Sequence, residues 1–347
     1  MAWQYAFILL AVACLVTILS SLPPVKDEAA VQAIFGRGDG GNSSRLPPLF
    51  AHRGAARYAP EYTLGAIQAA REKKADGIEL DLSFTRDNVG VLFYDDSLER
   101  TTSGDGVLAH TSFADLRQLD TATKNPYAKN CRGCAHVPTL EEGIQECLRQ
   151  GLRFIVHVKR YDDRAVALLA VLFSQRPELY RQGLVSSPNP YFIYALRLQN
   201  PDIVTALTWR PGLLAYKDAS KLRPRYDTNV THYEAVFADW IFEQALNWGL
   251  LHYVTGASGV LVWKDNLNVD SVRMWRDRGV HVIAWTPNKR LEQDYFRRVL
   301  RVPIVTDSLG RGGRRKAIAT ASSWWPGTHP LSAIWTRTIP DQYQCVA

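Results

Sequence analysis

The strongest constraint in this sequence is an alternation. Between residues 47 and 310, eight short apolar runs are separated by stretches whose apolar residues recur with a helical period. The runs fall at residues 49–52, 77–85, 154–159, 184–187, 203–209, 259–263, 280–286 and 303–307, with amphipathic stretches such as 63–73, 140–149, 164–173 and 269–278 between them. Eight such units over roughly 260 residues predict an α/β fold of the (β/α)8 TIM-barrel type. A doubly wound sheet is the competing architecture, but its Gly-rich dinucleotide turn is absent.

Two stretches depart from the alternation. Residues 88–138, with a short apolar run at 89–94, are too long for an ordinary connection and read as a small subdomain inserted after the second strand. Residues 233–262 are apolar enough to suggest a membrane span. Glu234, Asp239 and Glu243 interrupt them, and charge at a bilayer centre is costly, so they read as a helix, loop and strand of the barrel.

The flanks bear on location. Residues 5–22 contain no charge, and as a helix they would rise about 27 Å, enough to cross the hydrocarbon layer. Residues 1–22 therefore read as a single N-terminal membrane anchor, with the apolar region of a signal peptide as the alternative. Residues 23–46, with Pro23, Pro24 and glycines between 36 and 41, read as a linker, and 311–347 as a C-terminal tail. Asn42 and Asn229 each open a glycosylation triplet. Together with the anchor, they favour a barrel on the lumenal or extracellular side.

Five cysteines are too few for a disulfide scaffold, and Cys131-Arg132-Gly133-Cys134 lacks the second pair that a zinc ribbon needs. The net charge of +7 suits an anionic lipid surface or an anionic substrate. It is not gathered into a basic arm with interleaved aromatics, so nucleic acid is not expected.

Polar residues gather where barrel active sites are built, at the C-terminal ends of the strands. The first strand ends in His52-Arg53-Gly54, the second carries Glu79 and Asp81, and the third carries His157 and Lys159. Period-2 spacing points each of the last two pairs to one side of its strand. The seventh ends at Trp285 and the eighth at Asp307. Glu79, Asp81 and His157 could hold a divalent cation, His52 could move a proton near neutral pH, and Arg53 and Lys159 could clamp a phosphate. Any one of these motifs alone is more often an ordinary ion pair or turn. Their joint placement points to metal-assisted hydrolysis of a phosphate ester.

On these residues the sequence resembles the glycerophosphodiester phosphodiesterase family, over about residues 49–310. His52-Arg53-Gly54 followed by Pro60-Glu61-Tyr62-Thr63 is similar to the family's His-Arg-Gly and Pro-Glu-Asn-Thr, and Glu79 with Asp81 matches its Glu-x-Asp. The run from Val91 to Thr102 resembles its inserted-subdomain motif. Val137-Pro138-Thr139-Leu140-Glu141-Glu142, Trp285-Thr286-Pro287-Asn288 and Thr306-Asp307 follow in the family's order. The stretches 204–208 and 224–228, with the N-terminal run, look most like the membrane-anchored glycoprotein branch that cleaves glycerophosphoinositol.

The resemblance implies hydrolysis of deacylated phospholipids to glycerol 3-phosphate and an alcohol, at a site holding Mg2+ or Ca2+. It implies His52 and Arg53 as catalytic residues, Glu79 and Asp81 as metal ligands, and Lys159 beside the phosphate; Glu61 and Trp285 are further substrate-binding candidates.

Three positions depart from the family. Tyr94 replaces the second catalytic histidine; a phenol is a poor base at neutral pH but can still donate a proton. His157 replaces the third acidic metal ligand, which would favour Mn2+ or Zn2+ over Ca2+. Tyr62 replaces the asparagine of Pro-Glu-Asn. Two alternatives stand beside the hydrolase: a catalytically impaired relative that binds a phosphodiester or a protein partner, and a phospholipase D acting on lysolipids.

Overall fold

The structure, a computed structural model, describes residues 20–36, 45–124 and 135–310. Most of the N-terminal apolar run, Asn42, the Cys131/Cys134 pair and the tail after residue 310 lie outside the described residues. Among the described residues, no helix is long and apolar enough to cross a membrane.

The strands are β1 (Leu49–Ala51), β2 (Gly77–Phe84), β3 (Gly90–Leu92), β4 (Arg153–His157), β5 (Gly183–Ser187), β6 (Thr205–Trp209), β7 (Gly259–Trp263), β8 (His281–Trp285) and β9 (Ile304–Thr306). The helices used below are α1 (Glu28–Phe35), α2 (Leu64–Glu72), α3 (Phe113–Gln118), α4 (Leu140–Gln150), α5 (Asp163–Gln175), α6 (Pro190–Gln199), α7 (Asn229–Asn247), α8 (Leu250–Thr255) and α9 (Val269–Asp277).

Eight parallel strands run in the order β1, β9, β8, β7, β6, β5, β4, β2, and β1 also pairs with β2, so the sheet closes. This is a (β/α)8 barrel. Alternate side chains divide into two populations, as strand geometry requires. Ile78, Leu80 and Leu82 of β2 pack outward against the helical layer. Phe50, Ile155, Leu184, Ala206, Leu261, Ile283 and Val305 pack inside the barrel.

One feature differs from the expected domain plan. The stretch read as a linker contains α1, capped by Asp27, whose Val31, Ile34 and Phe35 join the barrel-interior cluster. Phe35 stacks on His281 at the start of β8, with ring centroids 4.8 Å apart, and Gly259 at the start of β7 lies under the same ring. A Cβ on Gly259 would come within 2.5 Å of Phe35. The N-terminal end of the barrel is thus closed by this helix.

Of the stretch read as an insertion, residues 88–124 and 135–138 are described. Its β3 pairs antiparallel with β2, and Val91, Phe93, Leu98, Leu108, Leu116 and Val137 form a separate core. The span 233–262 is α7, α8 and β7, as the charges inside it require.

Candidate active site

Four strands bring the candidate residues to the C-terminal end of the barrel. His52 follows β1, Glu79 and Asp81 sit on β2, His157 and Lys159 sit on and just after β4, and Trp285 ends β8. In the β2–β4 register, Asp81 lies opposite His157. Tyr94, Glu61 and Tyr62 reach the same place from the connecting segments.

Barrel closure makes β9 the neighbour of β1, and this positions His52. Its Nδ1 lies 2.6 Å from Asp307 Oδ1, while the other Asp307 oxygen accepts a 2.7 Å hydrogen bond from Asn288 Nδ2. Burial alone would lower the imidazole pKa. The bond to Asp307, reinforced by the charge of Glu79, outweighs it and raises the pKa. Burial would correspondingly raise Asp307, but the bond from His52 holds it well below the usual carboxylate range. An imidazole held at Nδ1 presents Nε2 as its proton-exchanging atom.

Arg53 occupies a strained loop. Arg53 and Tyr62 both adopt left-handed backbone, at φ 55° and 62°, and the Tyr62 amide donates to the Arg53 carbonyl at 3.1 Å. Non-glycine residues in that region cost about 1–3 kcal/mol each, and such strain concentrates at functional sites. Gly54 beside them has φ 74°, and a Cβ there would meet Ala66 Cβ at 2.9 Å. The Arg53 amide donates to Glu79 Oε2 at 3.0 Å, while its buried Nε has no hydrogen-bond partner among the described residues.

Glu61 is occupied by two guanidiniums. It accepts from Arg100 through both oxygens and lies 3.6 Å from Arg53 Nη1, so it orients cations rather than offering a free carboxylate. Tyr94 lies between two more cations. The Arg53 guanidinium carbon is 3.9 Å and Lys159 Nζ 3.3 Å from its ring centroid. Burial raises the phenol pKa and lowers that of Lys159. Trp285 packs edge-on against Trp263, and its buried Nε1 donor has no partner among the described residues.

The metal set differs from the expected one. Burial and the neighbouring Asp81 charge raise the Glu79 pKa, and Asp81 Oδ1 is buried without a hydrogen-bond partner. Two buried carboxylates in this state fit a divalent cation, since Mg2+ is commonly held by one or two carboxylates, with waters and substrate oxygens completing its shell. The three-residue set with His157 is not formed. Among the described residues, no three His, Cys, Asp or Glu side chains are grouped to hold a metal ion. The Tyr62 hydroxyl donates to Asp81 Oδ2, and His157 Nδ1 lies 2.9 Å from Ser186 Oγ. Burial lowers the His157 pKa.

Sequence reasoning missed three of these roles. Asp307 was visible as a strand-end acid, and barrel closure was the signal that would have paired it with His52. Asn288 was visible only as part of a motif. The Tyr62 contact with Asp81 had no sequence signal.

The sequence model described as "Glycerophosphoryl diester phosphodiesterase family" matches residues 52–311. The chain belongs to this family. Glycerophosphodiester phosphodiesterase 1 of Mus musculus is 35% identical over 292 residues, covering 83% of this chain and 84% of the relative. The Homo sapiens protein of the same name is 36% identical over 259 residues, covering 75% and 77%. Among solved structures, a phosphodiesterase from Oleispira antarctica in complex with the product sn-glycerol-3-phosphate aligns with a TM-score of 0.57 at 22% identity, covering 76% of this chain and 93% of that one. A glycerophosphodiester phosphodiesterase from Agrobacterium tumefaciens aligns at 0.57 and 20% identity, covering 76% and 96%. These two alignments show the shared fold.

Proposed function

We propose that this protein hydrolyses glycerophosphodiesters, such as glycerophosphoinositol, to glycerol 3-phosphate and an alcohol, with Mg2+ or Ca2+ at Glu79 and Asp81, in lipid metabolism. The observation that carries the reading is the His52–Asp307 pair beside Arg53. Arg53 offers an unspent guanidinium nitrogen to a phosphate oxygen. His52, with its pKa raised, holds the proton that the leaving alkoxide needs, and Asp307 stabilises the imidazolium and fixes its orientation. Tyr94 keeps its proton at neutral pH, so it can donate a hydrogen bond but cannot serve as a base. A bound cation would supply positive charge to the phosphate oxygens.

The purified full chain, incubated with glycerophosphoinositol across a metal series, should release glycerol 3-phosphate, and His52→Ala should abolish the release. No release under any metal would overturn this reading. Lysophosphatidylinositol in a parallel assay distinguishes a phospholipase D.

A second reading has its own support. Tyr62 occupies an oxygen of Asp81, and Tyr94 covers both Arg53 and Lys159, which suits a site that binds a phosphodiester without cleaving it. Saturable binding of glycerophosphoinositol with no turnover would favour it.

For location, the uncharged run 5–22 supports a single membrane span, with the barrel on the lumenal or extracellular side. Asn229, exposed at the first turn of α7, is an accessible acceptor. A glycosidase-sensitive mass that disappears in Asn229→Gln would support that orientation, and its absence from a secretory-competent cell would count against it.

A further inference from the structure

We propose that α7 is a second membrane contact, lying flat against the bilayer with its aromatic stripe in the headgroup region. The helix has two faces. Ala235, Asp239 and Leu246 are buried against the barrel, and the Asp239 carboxylate accepts from the Leu214 and Ala215 amides at 2.8 and 2.9 Å, which fixes the rotation of the helix. On the opposite face Val230, Tyr233, Phe237, Trp240, Ile241 and Trp248 follow the i, i+3, i+7 spacing of one helical stripe. Tyr233 is 70% exposed, Phe237 61% and Trp248 74%. Phe237 and Trp240 stack on each other, with centroids 5.9 Å apart, rather than on the barrel.

The occupant is argued from three observations. Tyr and Trp, apolar in body and polar at the tip, suit a membrane–water interface. The exposed loop just before α7 holds Leu222 between Lys221 and Arg223, with Arg225 close behind. Asp218 fixes the loop by accepting from the Leu222 and Arg223 amides, so it presents an apolar Leu222 between two side chains whose long stems can lie along an apolar surface with their charge in water. The third observation is continuity. Leu22, the last residue of the uncharged sequence 5–22, lies at α8, where its amide donates to the Val254 carbonyl at 3.0 Å, and α8 carries the exposed Tyr253. From Asn229 to Asn247, α7 spans about 28 Å from the active-site end of the barrel towards this exit point. One bilayer can therefore meet the Leu222 loop, the stripe and the end of α8 beside Leu22 together. No described helix is apolar enough to cross a membrane, so α7 lies on the surface.

The test uses the full chain in phosphatidylcholine vesicles, with part of the lipid brominated on its acyl chains. Subtracting the emission of Trp240→Phe from that of the wild type isolates Trp240 among the ten tryptophans. The substitution is conservative at an exposed position, so folding is retained. The brominated lipid should quench most of the Trp240 emission, and aqueous acrylamide little of it. A Trp240 component that acrylamide quenches and brominated lipid does not would overturn the proposal. So would protection from both quenchers, which a protein partner or a second copy on this face would produce. Turnover of soluble glycerophosphoinositol reads the barrel site independently, so the two readings can fail separately.

Discussion

Tyr94 and Tyr62 each contact charged side chains of the candidate site. Tyr94 lies on the Arg53 and Lys159 cations, contacts worth about 0.5–2 kcal/mol each. A histidine in its place would restore a group that titrates near neutral pH, so Tyr94→His should raise phosphodiesterase turnover by about 10-fold or more. Slower turnover in Tyr94→His than in the natural protein would instead give the phenol a catalytic part of its own. Tyr62 competes for Asp81. Hydrogen bonds to charged groups are worth about 1.5–3 kcal/mol, so Tyr62→Phe should tighten divalent-cation binding by about 10-fold or more. Calorimetric titration with Mg2+ measures this without reference to activity, and unchanged affinity would show that the hydroxyl does not compete. Both tyrosines were legible as departures from a motif. Their partners were not, because a motif gives chain position and not the direction of a side chain.

At the scale of elements, the strands were legible because both faces of a barrel strand are buried, which produces continuous apolar runs between polar connections. The bounds shift by a residue or two at the ends, where His52 and Lys159 lie just beyond β1 and β4. The eight residues of α1 are too few to stand out in the window that reveals helical periodicity, and prolines and glycines on either side disguise them further. Their packing shows what they do. Phe35 is almost fully buried against Gly259 and His281, and Arg153 Nε donates to the Ala33 carbonyl, so α1 is part of the barrel core. Phe35→Ala should destabilise the fold by about 3–5 kcal/mol through the cavity it leaves. Urea unfolding would measure it, and a loss under about 1 kcal/mol would show that the barrel end collapses to fill the space. Helix α4 makes the complementary point. Thr139 and Glu142, read as part of a family motif, form its capping box, so that motif has a structural role as well.

Across the whole molecule, the contact that completes the site joins residues 255 positions apart. No local pattern reveals such a pair; it exists because the last strand lies beside the first. The same long-range burial sets how stability responds to pH. His52 has a raised pKa in the folded state, so its contribution is fully present below about pH 6.5 and is lost as pH rises through the folded value. His157, His252 and His281 have the opposite sign, because burial lowers each. Unfolding lets these three bind protons below about pH 6.5, so their contribution disappears as pH falls. His252 shows the largest effect of that kind with a defined value. It is buried beside Trp275, 3.3 Å from the Gly259 carbonyl, with its Nδ1 unpartnered, and its pKa is lowered to about 4. A shift from 6.5 to about 4 corresponds to a stability loss of about 3 kcal/mol between those pH values. Glutamine can donate to the same carbonyl but does not titrate. His252→Gln should therefore lose less stability than the wild type between pH 7 and pH 4, whatever its stability at pH 7. Urea midpoints of the two proteins at both pH values test this, and identical losses would show that protonation of His252 is not what acid exploits.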